Sequence, residues 1–278
     1  MIAIALGLST AILWGVADFA AGVQARRLPL LFVSAVSQAP GFLVIVVLVL
    51  VVWPPMPSVG QFGLGALGGA SVAVGVVCYY GSLARGSMSV VAPIAASGVA
   101  IPVLYGLVAG ERPGPVVLAG VVITFVGILF AVQAKGGAPV INQRQSIVFA
   151  VIAAIGFGAF FVLVDQLVEE SILWVILAVR VASAVIITTA AVVTRATPGA
   201  APVPFGTLIA IGLADLGGQL CYFLAASEGM ITLVAVLASL HTVVTIILAR
   251  AVLEERVSPI QATGIGLVLV GVLMLASG

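Results

Sequence analysis

Charge is what this sequence lacks. Of its 278 residues, 10 are Lys or Arg and 9 are Asp or Glu, 7% in all. A soluble domain carries about 25% charged residues, so this chain has too little polar surface to face water. A net charge of +1 offers no basic face to a polyanion, which excludes nucleic acid as a partner. Cysteine is nearly absent. Cys78 and Cys221 both sit inside apolar segments and read as small buried hydrophobes, not as disulfide partners or metal ligands. Histidine occurs once, as His241. There is no metal-ligand cluster and no nucleophile elbow with a Ser/His/Asp set. There is also no G-x-x-x-x-G-K-[ST] run, so ATP-driven transport by this chain alone is excluded and no cofactor is implied. The first residues carry no basic run and no small-residue cleavage site, so the first apolar segment reads as a retained helix.

Apolar residues are what the chain has. They make up 63% of it, and mean hydropathy is +1.38. A bilayer core of about 30 Å takes about 20 apolar residues per helix. Ten segments fit: 2–23, 30–52, 61–83, 88–109, 115–134, 146–167, 172–194, 205–226, 230–252 and 259–277. The breaks carry charge or turn residues, among them Arg26-Arg27 with Pro29, the Pro54–Pro57 run, Arg85-Gly86 and Pro198 to Pro204. The least hydrophobic stretch is 135–145, with Gly136-Gly137, Pro139 and Asn142. The fold class is therefore an all-α polytopic membrane protein.

Two halves of the chain resemble each other. Glu111, Arg112, Pro115, Gly120, Gly127 and Leu129 return 144 residues later as Glu255, Arg256, Pro259, Gly264, Gly271 and Leu273. Upstream, Cys78-Tyr79 returns as Cys221-Tyr222 at an offset of 143. The division is a first five-helix repeat over 1–134, a linker over 135–145 and a second repeat over 146–278. Five helices is an odd number, so the second copy enters the membrane from the opposite face, giving an inverted repeat. Charge placement argues the same way. Arg26-Arg27 aligns with Glu169-Glu170, and Arg85 with Glu228. Only one membrane face favours Lys and Arg. Loops after helices 1, 3, 5, 7 and 9 contain or flank Arg26, Arg27, Arg85, Lys135, Arg144, Arg195, Arg250 and Arg256, against Arg112 alone on the other face. The eight-charge face is expected to be cytoplasmic, with both termini outside, in the plasma (inner) membrane.

Trp14-Gly15 in the first helix, Pro102-Val103 in the fourth and a Gly-Glu turn before the fifth, within five-helix copies, resemble the EamA-type branch of the drug/metabolite transporter superfamily. Copy two keeps Gly158 at the place of Gly15 and carries Arg180 where that family often has an arginine. Copy one has Ser37 there, Pro102 corresponds to Thr245, and the second turn reads Leu253-Glu254-Glu255 without its glycine. The resemblance spans the whole chain. It implies ten helices, alternating access, and most often export of metabolites or amphipathic compounds.

Polar residues inside apolar helices are the candidates for function, because ionisable groups at bilayer depth are costly and face a cavity or a partner. Asp215 lies near the middle of helix 8, with Gln219 one turn on. It either binds an amine or proton or forms a structural pair. His241, read as lying in mid-helix 9, titrates near neutral pH in its ordinary state. With Asp215 it would form a proton-linked pair. Asp18 lines the cavity mouth or pairs with a local arginine such as Arg26. Arg180 neutralises an acid, Asp165 or Asp215, or holds a substrate carboxylate. Tyr79, Tyr80, Tyr222 and Trp14 would wall an amphipathic substrate, or simply pack the core. Trp53 and Trp174 sit at helix ends and read as interfacial anchors. Glu111 and Glu255 read as structural turn acids near helix N-termini, with Pro115 and Pro259 in the first turns.

These features point to a secondary transporter, an exporter, of a small metabolite such as an amino acid or an amphipathic compound, with proton coupling through Asp215 or His241. An uncoupled facilitator and a multidrug exporter are the alternatives within the class. A scaffold would need a polar partner surface, and an intramembrane enzyme would need several acids beside the histidine. The expected partners are a small-molecule substrate and the lipid bilayer, for a monomer or homodimer.

Overall fold

The computed structural model describes residues 2–101, 105, 114–133, 142–167, 171–200, 202–228, 237–238, 240–254 and 258–275. Ten α-helices run through them: α1 Ile2–Ala25, α2 Leu30–Val52, α3 Val59–Arg85, α4 Met88–Ala96, α5 Pro115–Gln133, α6 Gln143–Asp165, α7 Ile172–Val193, α8 Phe205–Glu228, α9 His241–Leu253 and α10 Pro259–Leu275. No strand occurs among the described residues. Among the described residues, six helices (α1, α2, α3, α6, α7 and α8) are long and apolar enough to cross a membrane.

Local chemistry sets the ends. Ser58 caps α3, its hydroxyl accepting from Gln61 N while Gln61 accepts from Ser58 N. Pro115 and Pro259 open α5 and α10, where a missing N–H costs nothing. Helix α6 begins at Gln143 rather than 146, because Asn142, read as a linker residue, accepts from Gln145 N at 3.0 Å and acts as an N-cap. A larger difference concerns the fourth and ninth segments. Helix α4 gives way to a 3₁₀ turn at Ser97–Val99. Helix α9 starts at His241, after Leu240 donates back to Leu237 O at 3.2 Å in a tight turn. His241 therefore stands at the head of a helix and not in its middle. A hydropathy window does not register this, since Leu237-Ala238 before the break and Val243-Val244 after it outweigh Ser239, His241 and Thr242. The turn residues Glu111, Arg112, Glu255 and Arg256 lie outside the described residues, as do Pro102, Val103, Glu169 and Glu170.

Helix α5 packs along α10. Helix α3 packs on α6 and α7, while α8 packs on α1 and α2. Helix α4 meets α6 and α9, and α9 meets α1. In lipid there is little hydrophobic drive between helices, so small residues permit the close approach. A methyl group on Gly127 would stand 2.8 Å from Gly264 O, and one on Gly271 would stand 2.8 Å from Gly120 O. The large exposed side chains Val47, Leu50, Val122, Val193 and Ile247 face outward, as a bilayer requires.

Two contacts tie opposite ends of the bundle. At one, Arg26 donates to Leu83 O and Gly86 O at 3.2 and 3.1 Å, capping the last carbonyls of α3. Asn142 N donates to Arg85 O close by, and the Arg85 guanidinium lies 5.2 Å over the Phe149 ring. At the other, Trp174 Nε1 donates to Pro54 O at 3.1 Å, joining the start of α7 to the end of α2.

Candidate functional site

The lipid-facing edge of α8 runs through Ile209 and Leu213, and that of α1 through Leu8, Ile12 and Val16. At about 100° per residue, Asp215 is turned about 200° from Leu213, and Asp18 about 200° from Val16. Both carboxylates therefore point into the bundle. Asp215, Gln219 and Tyr222 share one stripe of α8, and Trp14 and Asp18 share one of α1.

Two polar couples result. Arg180, from α7, donates through Nη2 to Asp215 Oδ2 at 2.7 Å. It also reaches Gln219 Oε1 through Nε and Nη2, at 3.2 and 3.1 Å. The Arg180 side chain is 5% exposed, whereas that of Asp215 is 41% exposed. Behind the arginine, Ser183 donates to Gln38 Oε1 of α2 at 3.1 Å, burying a further polar contact. The second couple joins His241 Nδ1 to Asp18 Oδ2 at 3.0 Å, with both side chains partly open.

Trp14 links the couples. Its Nε1 donates to Asp215 O at 3.1 Å. Its ring stacks on Tyr222 at 5.8 Å and meets His241 edge-on at 6.1 Å. Gly15 lets this happen: a methyl group there would sit 2.5 Å from Val244 Cβ and 2.7 Å from His241 O, so only glycine admits α9 so close to α1. Thr245 Oγ1 accordingly donates to Gly15 O at 3.2 Å. Opposite stand Tyr79 and Tyr80 of α3, with Tyr79 edge-on to Phe157 at 5.8 Å. The two carboxylates are within electrostatic reach of each other, and Tyr80 within reach of both. The buried Tyr79 hydroxyl lies by Asp18 and Thr245 without a well-aligned hydrogen bond to either.

The pairing differs from the sequence expectation in two respects. His241 meets Asp18 and not Asp215, because the break before α9 sets the imidazole against α1. Asp18 pairs with that histidine and not with Arg26, which is used on the α3 carbonyls. Arg180 takes Asp215, one of its two expected acids; the side chain of Asp165 is not among those described. Tyr79, Tyr222, Trp14 and Gln219 all line this centre. Gln38, Ser183 and Thr245 were missed, although each is a polar residue in an apolar helix, the signal used for the others. Trp53 and Trp174 sit away from the centre at helix ends. No group of three metal-ligating side chains occurs among the described residues.

A multi-pass helical membrane protein with ionisable couples and an aromatic wall at its centre falls in the class of membrane transporters. More narrowly, the chain belongs to the EamA-like transporter family, whose model matches residues 1–133 and 144–277. This family lies within the drug/metabolite transporter superfamily, and its members are transporters and not enzymes. A solved structure, described only as the crystal structure of a protein, has a TM-score of 0.67 at 16% identity. The likeness covers 98% of this chain and 96% of that one. Comparison with curated proteins gives no match.

Proposed function

We propose that this protein is a proton-coupled secondary exporter of a small metabolite, an amino acid or amphipathic compound, working by alternating access between two inverted five-helix repeats in the plasma membrane. The observation that carries the reading is the pair of couples, Asp18–His241 and Arg180–Asp215–Gln219, beside a helix break within one bundle. A titratable pair next to a partly open carboxylate is what linked binding of a proton and a substrate requires.

Repeat-related contacts support the two-copy part. Gly15 abuts His241 O and Val244; 143 positions on, Gly158 abuts Gly98 O and Ile101. The Trp14–Tyr222 ring pair corresponds to Phe157–Tyr79 at the same offset. The breaks at Ser97–Val99 and Leu240 fall at corresponding places. Interrupted helices in matching positions of two halves commonly flank transporter binding sites.

Purified protein in liposomes, screened against a metabolite panel with and without a pH gradient, tests the reading. Gradient-stimulated flux that is lost in both Asp18→Asn and His241→Gln is the expected result. Flux indifferent to the gradient refutes the coupling, and everted vesicles decide the direction.

A further inference from the structure

We infer that Asp215 presents a subsite for an organic ammonium group, with Arg180 as its positioning residue and not as a receptor for a substrate carboxylate. This rests on the transporter reading for its place in the cycle, but the recognition argument is separate. Arg180 is buried, and its donors are turned to Asp215 Oδ2 and Gln219 Oε1. Opening that pair to admit a carboxylate would strand the Asp215 charge, a costly exchange in a low dielectric. Asp215 is asymmetric. Oδ2 is held by the guanidinium, Oδ1 accepts no hydrogen bond among the described residues, and the side chain stays 41% open on the inward face of α8.

Charge balance points the same way. Asp18 is taken up by His241, and Arg180, the one fixed cation among the described residues of the centre, is already held by Asp215 and Gln219. Among the described residues that line it, no unpaired fixed cation is left for an anion. The rings complete the argument. Trp14, which donates to Asp215 O, stacks on Tyr222 with ring centroids 5.8 Å apart, so an aromatic wall that suits an apolar body stands beside the acid. The fitting substrate is a primary amine on an aromatic or apolar body. An amino acid would be held by its ammonium end and not by its carboxylate.

The test uses full-length protein and three probes of one skeleton: 2-phenylethylammonium, 2-phenylethanol and 3-phenylpropanoate. Equilibrium binding in detergent should favour the ammonium probe by at least about ten-fold. Asp215→Asn should weaken that probe by roughly ten- to a hundred-fold, the range for losing a charged hydrogen-bond partner, while Asp215→Glu keeps most of the affinity. Should the Asn variant not fold, Tyr222→Leu decides, with an expected loss of about ten-fold. Equal or tighter binding of the carboxylate probe overturns the inference. So does an unchanged ammonium affinity in Asp215→Asn or, if that variant does not fold, in Tyr222→Leu. Counterflow in liposomes separates the two readings. Selective ammonium binding without counterflow sinks the transporter reading alone, and counterflow of the carboxylate without the ammonium sinks the subsite alone.

Discussion

At the scale of single residues, the centre is two acids with different partners, and the partners decide what each acid can do. Arg180 is spent on structure. Replacing it with Met leaves Asp215 and Gln219 without their donors, at a cost below the about 3–5 kcal/mol of a fully buried pair because Asp215 is 41% exposed. Thermal melting in detergent should show a large fall for Arg180→Met. The double variant with Asp215→Asn should recover part of it, because the stranded charge is gone. Full additivity of the two changes would refute the pairing as an energetic unit. The Asp18–His241 couple is a single contact at 3.0 Å, against the three hydrogen bonds that Arg180 makes. Asp18→Asn should lower stability by less, about 1 kcal/mol, yet abolish the pH dependence of flux. A stable Asp18→Asn protein with a wild-type pH profile would remove this couple from the mechanism. The residue types of both couples were legible in the sequence, since ionisable side chains in apolar helices have few uses. Their pairing was not, because which helix faces which is a tertiary fact that hydropathy does not carry.

Helices bring the couples together, and glycine sets how closely. Gly15 holds α1 against the head of α9, and Gly158 holds α6 against the Ser97–Val99 turn. Ala at either position pushes a methyl group into backbone at 2.7 or 2.6 Å, overpacking that costs about 1–3 kcal/mol. Both variants should melt earlier. Only Gly15→Ala should also disturb pH-dependent flux, since only that contact carries His241. If Gly158→Ala shifts the pH profile as much as Gly15→Ala, the couple does not act locally. The ten segments and most of their ends were readable from apolar length and flanking Pro, Gly and Arg. The start of α6 was misread because Asn142 looks equally like a linker residue and an N-cap until Gln145 N is seen bound to it. The break before His241 was invisible for a related reason. Ser239 and His241 flank Leu240, but neither Gly nor Pro marks the turn, and the apolar residues further out on each side carry the hydropathy through it.

For the whole molecule, the open question is which way it sits in the membrane. Its ends put the basic residues of the charge count side by side, and the orientation is a prediction from them. Arg26, at the end of α1, binds carbonyls at the end of α3, and Asn142, at the start of α6, binds Arg85 O. Those junctions therefore share one end of the bundle, and they bring Arg26, Arg27, Arg85 and Arg144 together there. The end of α2 and the start of α7 meet at the other, where Trp174 donates to Pro54 O and Trp53 lies exposed without a nearby Lys or Arg on the connecting segment. Basic residues near membrane-spanning ends stay on the cytoplasmic side, and each charge moved across costs work against the membrane potential. The Arg26–Arg85 end should therefore be cytoplasmic, and with ten helices both termini should lie outside. In a variant with Cys78 and Cys221 replaced by serine, Arg195→Cys should react with a membrane-impermeant thiol reagent only in everted vesicles. Ser58→Cys should react only in intact cells. A phosphatase fused after Gly278 should be active and a fluorescent protein there dark. The reverse labelling pattern would turn the molecule over, and with it the face from which the Asp215 site is loaded.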